Sequence, residues 1–419
     1  MELITNRSFI LQAGDQTSRI RRLKNGLPQG SVLAPILFNI YTYDLPETTS
    51  KKYDDMCLGV RGKQADVISS ILSNDMDTML AYFKKWRLIL SEAKTVSAFF
   101  HLTNKLAKQE LTVKVDGRPL PFCPVPTYLG IKMDRSLSYH PHLESLKMKV
   151  ASRTALVRKL AGTTWGADAV TLRISVLALV FSTAEYCAPV WCRSSNTHLV
   201  DSELNNAVRV ITGCLHSTPT PALYVLSNIA PPTIRREAIT LKSAWKALSD
   251  ELSMLHEIVA VPPKVYRQLQ APTRMSARLN LAPKLTVDQR LSSRHPFQRA
   301  AHNIVTTAGG TLPTSAGQRK SRADSFVLER WKKNWREDSV WNEDYRVPEL
   351  DSLRDVPSRL AWLRLNRLIS GHTRLAADMY RYGIKASPAC DCGAPYQTSR
   401  HIVEECPLRL LDGGFKKLV

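Results

Sequence analysis

The sequence predicts an α+β protein on three observations. Short strand-like runs mix with helical ones from residue 1 to about 135. Helical periodicity dominates from 136 to about 250. A helical signal returns from about 326 to 419, after a stretch rich in Pro, Ser, Thr and Gly, and the chain closes on a cluster of cysteines and a histidine. The expected organisation of the 419 residues is therefore 1–135 mixed, 136–250 mostly helical, 251–325 a basic linker and 326–419 helical. That length suffices for two or three domains with real cores.

The elements follow in order. Ser31 to Tyr43 is apolar with few breakers and suits a helix. Ala65 to Leu90 is amphipathic at helical spacing, with Val67, Ile71, Met79 and Phe83 among its apolar positions. Leu111–Val115 and Tyr128–Met133 read as strands, with Asp116-Gly117 as a hairpin turn. Leu143, Leu146, Val150, Val157 and Leu160 fall on one helical face, which Gly162 would end. Lys147, Lys149, Arg153, Arg158 and Lys159 occupy the other face, which either is solvated or grips a phosphate backbone. Val176–Ala184 is the most apolar run; it is too short to span a bilayer and reads as a buried helix. Trp331 and Trp335 stand one turn apart, and Ser358–Gly371 is a strongly amphipathic helix with Ser358 at the N-cap.

Composition narrows the function classes. With 44% hydrophobic residues the chain is not a disordered one. Lys and Arg number 58 against 37 Asp and Glu, a formal net charge of +21. An excess of that size favours a polyanionic partner, nucleic acid first, with a ribosome-like or membrane-surface protein as the alternative. Eight cysteines, five scattered and three near the end, do not match the dense spacing of a small secreted scaffold. The start, MELITNRSF, has no apolar signal region. The expected compartment is reducing, cytoplasm or nucleus, with no membrane association.

Two motifs carry chemistry. The first is GLPQGSVLAPILFN at Gly26–Asn39, followed by YTYDLP and by KKYDD at Lys51–Asp55. Template-directed polymerases use two divalent cations about 3.5–4 Å apart, held by converging carboxylates. An Asp-Asp pair alone is most often a solvated turn. Here it sits in series with Trp86, SEAKT at Ser91–Thr95, YLGIKMDRSLSYHPHL and LNNAVRVITGCLHSTPTPALYVLSNIAPPTIRR at Leu204–Arg236. In order and spacing these blocks resemble the reverse transcriptase of non-LTR retrotransposons, jockey-type elements especially.

That resemblance implies a polymerase palm followed by a helical, thumb-like region. It implies Mg²⁺ at Asp54 and Asp55. It makes Pro28, Gln29, Gly30 and Ser31 the loop that positions template and nucleotide, and Lys94 the base near the incoming phosphates. Tyr128, Leu129 and Gly130 would form the primer grip, and Lys147, Lys149, Arg153 and Arg158 would face nucleic acid. The implied partners are RNA and DNA, namely element RNA and target-primed DNA, together with an intact element-encoded protein. Two departures stand out. The family places a further Asp on a strand upstream of the Pro-Gln-Gly loop, and no Asp precedes Asp15 here. The family box also carries Ala between its Tyr and its first Asp, and this chain does not. Strand side chains alternate faces, so losing one residue puts Tyr53 and Asp54 on opposite faces. The expectation is a partial palm without fingers, catalytically incomplete in this chain. The alternatives are a piece cut from an active enzyme and a non-enzymatic relic that binds RNA or DNA.

The second motif is CDCGAPYQTSRHIVEECPL. Cys390, Cys392, His401 and Cys406 form a suitable tetrahedral Zn²⁺ set. Their spacing also fits ordinary buried cysteines beside a capping histidine. The resemblance favours zinc, because the retrotransposon group commonly ends in a CxC–H–C box followed by Pro, a knuckle-like end. Arg381, Lys385 and Arg400 lie close by in sequence.

Overall fold

The structure is a computed structural model that describes residues 7–23, 33–49, 51–53, 57–91, 93–101, 108–162, 166–251, 255, 256, 259, 312–337, 348–350, 353 and 358–415. It divides into two compact units, 1–99 with 108–126 and 100–107 with 127–419.

The first unit is built from hairpins around one long helix. Strand β1 (Arg7–Phe9) pairs antiparallel with β4 (Arg21–Leu23), and β2 (Gln12–Ala13) with β3 (Gln16–Thr17). Helix α1 (Ala34–Tyr41) is shorter than the expected Ser31–Tyr43 and leaves Ile36, Phe38 and Ile40 exposed. Strands β5 (Lys51–Tyr53) and β6 (Cys57–Gly59) form a hairpin in which Tyr53 faces Cys57. Helix α2 (Ala65–Lys85) stops short of Leu90 because Arg87 turns into the left-handed region at φ 55°. Its Ile68 packs with Leu111 and Val113, while Met79, Tyr82 and Phe83 pack with Leu45, Leu58 and Trp86. Val67, counted with the apolar face, is in fact 50% exposed, and the core position is its neighbour Ile68. Strands β7 (Lys114–Val115) and β8 (Arg118–Pro119) are joined by Asp116 and Gly117 at φ 52° and 77°, the positive pair that a two-residue hairpin needs. The strand expected from Leu111 thus shrinks to its last two residues, although Leu111 and Val113 are buried.

The second unit opens with another hairpin. Tyr128–Met133 is not one strand: β9 (Thr127–Tyr128) pairs with β10 (Ile131–Lys132), and Leu129 and Gly130 turn between them at φ 47° and 82°. The Tyr186 hydroxyl donates to the Leu129 carbonyl at 3.0 Å and so braces this turn. Asp134 then organises the entry to helix α3 (His140–Lys159). Its carboxylate accepts from the Ser136 hydroxyl and from the backbone N–H groups of Ser138 and Tyr139. Burial works against ionisation of Asp134, but the hydrogen bonds from Ser138, Ser136 and Tyr139 outweigh it and hold the carboxyl below its ordinary range. Helix α3 buries Leu143, Leu146, Val150 and Val157, whereas Leu160, past the last turn, is 47% exposed.

The apolar run Val176–Ala184 is helical with a widened middle. Helix α4 (Ala169–Ser175) passes through a π segment, Val176–Phe181, into Ser182–Ala184. Helices α5 (Ala188–Trp191), α6 (His198–Thr212), α7 (Thr220–Ser227) and α8 (Pro232–Leu248) complete this body. Within it, Arg236 pairs with Asp201 through two bonds of 2.5 and 2.9 Å and lies over the Trp191 ring. Helix α9 (Ala316–Glu337) buries Trp331 and begins inside the stretch expected to be linker; residues 260–311 lie outside the described ones.

Helix α10 (Arg359–Ile369) seats on the C-terminal end of α6. An α-helix leaves its last four carbonyls without intrahelical donors. Here Arg359 donates to the carbonyls of Val210 and Ile211, Trp362 to Ile211, Asn366 to Thr212 and Arg367 to Gly213. Ser358 stands at the expected N-cap position, but its hydroxyl makes no capping bond. Gly213 ends α6 at φ 67°, and a Cβ there would fall 1.4 Å from Leu363 Cδ2. Gly213→Ala should therefore cost about 2–4 kcal/mol, combining a left-handed alanine with overpacking. Gly371→Ala, also at positive φ but with open space around it, should cost only about 1–2 kcal/mol; urea midpoints of the two variants check the difference. Asp134→Asn should destabilise the protein near neutral pH. Because the folded carboxyl titrates below its unfolded range, that deficit should be full above about pH 4 and fade as pH falls through the folded value, read from denaturation at a series of pH values.

Candidate metal centre and polymerase motifs

Helix α11 (Ala376–Arg381) leads into the Cys-x-Cys turn. That turn closes through Cys390 N–H to the Ala394 carbonyl at 2.9 Å and Gly393 N–H to the Cys390 carbonyl at 3.0 Å. Gly393 sits at φ 92°, a conformation that an L side chain resists. The other two side chains flank a π turn, His401–Glu405, closed by Cys406 N–H to the His401 carbonyl. In an α-helix, positions five apart point about 140° away from each other. The wider turn narrows that angle and lets His401 and Cys406 face one point.

The four candidate ligand atoms lie within 4.8 Å of one another. Cys390 Sγ is 4.0 Å from Cys406 Sγ, and Cys392 Sγ is 3.1 Å from His401 Nε2. A tetrahedral ion with metal–sulfur bonds of about 2.3 Å separates its sulfurs by about 3.8 Å, so the spacing fits. His401 directs Nε2 at the Cys392 sulfur and not at a helix-end carbonyl, which favours the ligand role over the capping one. Cys406 is fully buried, and Cys390 and His401 nearly so. The Cys392 N–H is the main influence that draws the Cys390 thiol down to about 6, against the opposing effect of burial. Cys392 moves the other way: the Ala394 N–H lowers it, but burial and the Cys390 and Cys406 sulfurs prevail.

The polymerase motifs divide differently. Pro28, Gln29, Gly30, Ser31, Asp54 and Asp55 lie outside the described residues. Lys94 is exposed in the turn closed by its N–H to the Ser91 carbonyl. On α3, Lys149, Arg153 and Arg158 are exposed and Lys147 is half-buried. Arg153 is partly committed to structure, since it donates to the Leu179 carbonyl in the π segment at 3.1 Å. Lys132 N–H meets His142 Nδ1 at 3.5 Å, so the Leu129–Gly130 hairpin is fastened to α3. Burial, then Lys149 and Lys132, hold His142 below its usual value.

Residues 2–133 match the family described as reverse transcriptase (RNA-dependent DNA polymerase). The chain is 25% identical over 414 residues to the 115 kDa protein in type-1 retrotransposable element R1DM of Drosophila melanogaster, covering 94% of this chain and 35% of that one. It is 22% identical over 398 residues to a retrovirus-related Pol polyprotein from type-1 retrotransposable element R1 2 of Nasonia vitripennis, covering 91% and 85%. It is 23% identical over 321 residues to the RNA-directed DNA polymerase from mobile element jockey of Drosophila melanogaster, covering 73% and 32%. The chain is similar to the reverse transcriptases of non-LTR retrotransposons. It spans about a third of the length of the R1DM and jockey proteins. No solved structure matches it.

Sequence reasoning missed the groups that surround the candidate metal cluster: Asp391, Gln397, Glu405 and Arg409. Only Asp391 carried a signal, as the residue between the two cysteines. It also missed Tyr186, which braces a turn 57 positions away in the chain. If the cluster is a metal centre, titration with a divalent transition metal should saturate at about one ion per chain, and Cys406→Ala should abolish that uptake; equilibrium dialysis with elemental analysis decides.

Proposed function

We propose that the protein is a nucleic-acid-binding reverse-transcriptase homologue whose palm, 1–135, is followed by a thumb-like region, 136–250, a basic linker, 251–325, and a C-terminal region, 326–419, ending in a Zn²⁺ knuckle. The observation that carries this reading is the reverse-transcriptase match over residues 2–133, followed at once by a helix with an exposed basic face. The net charge of +21 gives RNA and DNA phosphates an electrostatic reason to bind. Pro28, Gln29, Gly30 and Ser31 would position template and nucleotide, and Lys94, exposed, would meet the phosphates. Cys390, Cys392, His401 and Cys406 would hold Zn²⁺ and stabilise the chain's end.

Asp54 and Asp55 supply hard oxygen ligands suited to Mg²⁺, which when bound activates a primer hydroxyl and steadies the departing pyrophosphate. In this chain Tyr53 runs directly into Asp54, without the alanine of the family box. The strand alternation that would aim tyrosine and the first aspartate together is therefore lost. On that ground this chain by itself does not extend a primer, and it acts through binding, in company with a longer element-encoded protein. The exposed apolar side chains of α1 offer such a partner a surface. Its eight free cysteines suit the nucleus or cytoplasm.

Two measurements test the reading. Purified protein should bind single-stranded RNA with an affinity that falls steeply with salt. Replacing Lys149, Arg153 and Arg158 with alanine should flatten the slope of log K against log salt by about 2. Primer extension on an RNA template with Mg²⁺ should give no processive product; processive synthesis would overturn the view of an incomplete catalytic centre.

A further inference from the structure

The metal cluster has polar company that the ligand set alone does not require. Two side chains direct N–H groups at the same sulfur: Gln397 Nε2 lies 3.7 Å from Cys390 Sγ, and Arg409 Nη1 lies 3.8 Å from it. Arg409 is itself anchored, because its Nη2 pairs with the Asp391 carboxylate in the middle of the Cys-x-Cys turn. Gln397 is anchored too: its Oε1 accepts the N–H of Ala376, the first residue of α11, at 2.9 Å. A divalent ion held by three thiolates and a neutral imidazole carries a net charge of −1, which a guanidinium beside one sulfur offsets.

We infer that Arg409 and Gln397 are positioning residues for metal binding, which hold the Cys390 sulfur in ligating position and, through Gln397, tie metal loading to the seating of α11. This rests on the metal-centre reading. Two donors directed at one sulfur fix its position, so the cluster is arranged before an ion arrives. Donors around a metal ligand typically account for about 10–100-fold in affinity. Gln397 serves both sides with one amide. Its carbonyl oxygen holds the backbone of α11, and its NH₂ holds the sulfur, so ordering either end orders the other.

The test uses the full chain and Co²⁺, followed by competition with a chromophoric chelator and by the sulfur-to-cobalt charge-transfer band. Arg409→Met keeps most of the stem and removes the cation and both donors. It should weaken Co²⁺ binding about 10–100-fold, and Arg409→Lys should recover part of the loss. Gln397→Glu keeps an acceptor for the Ala376 N–H but replaces the donor with a second negative charge. It should weaken binding at least as much and shift the charge-transfer band. Thermal unfolding of the metal-free forms separates positioning from scaffolding. The inference holds if the metal-free variants melt like wild type while affinity and band change. It is overturned if wild type takes up about one Co²⁺ and both variants match it in affinity and band, or if the affinity loss merely tracks a fall in metal-free stability. If wild type takes up no Co²⁺, the metal-centre reading fails and this inference fails with it, which keeps the two failures distinguishable.

Discussion

The second unit depends on one constraint: the carbonyls at the end of α6 must find donors although they are buried. Ile211 and Thr212 have no exposure, so water cannot serve them. A buried carbonyl without a partner costs about 1–3 kcal/mol, and three or four together would be a large fraction of a domain's stability. Arg359, Trp362, Asn366 and Arg367 supply the donors from a single helical face. Two of the four are cations at the negative end of a helix, where charge and dipole agree. The price is burial of guanidinium groups: desolvation foremost, then repulsion from Arg367 on Arg359 and from Arg374 on Arg367, moves both below their ordinary value.

That docking brings chain more than 140 residues downstream onto the helical body. It gives Trp362 a place in the same core as Trp191, Leu204 and Trp331. Helix α11 begins at Ala376, soon after the docked helix ends at Ile369, and the cysteine cluster follows from Cys390 onward. Tyr382, just past α11, reinforces the arrangement through its hydroxyl to Ser217 in the loop before α7. The metal cluster thus ends a region already fastened to the body, and its polar surroundings extend that fastening through Gln397 to α11.

Much was legible beforehand because periodicity and turn chemistry are local. The faces of α3 and α10 and the Asp116-Gly117 turn follow from spacing, whereas the convergence of Cys390, Cys392, His401 and Cys406 is favoured by the family resemblance and left open by spacing alone. The misreadings have physical causes. Tyr128–Met133 carries one Gly, and nothing local announces that Leu129 will adopt a positive φ; the brace is Tyr186, far along the chain. Val67 and Ile68 are adjacent and equally apolar, so only packing against Leu111 and Val113 selects between them. Ser358 has the right residue type for a cap, yet its hydroxyl does not make that bond.

By itself the sequence determined the α+β character, the basic excess that favours a polyanion, the reverse-transcriptase motifs and the identity of the four candidate metal ligands. These are properties of residue type and spacing, which no folding is needed to read. Tertiary structure alone decided which side chains meet the end of α6, that a π turn aims His401 and Cys406 at one point, and that Arg409 and Gln397 converge on Cys390. The first of those outcomes turns on hydrogen-bond donors finding acceptors across a long separation in the chain; the other two are closer pairings that residue type and spacing leave undecided. Such pairings are set by the burial of whole faces, which local spacing does not encode.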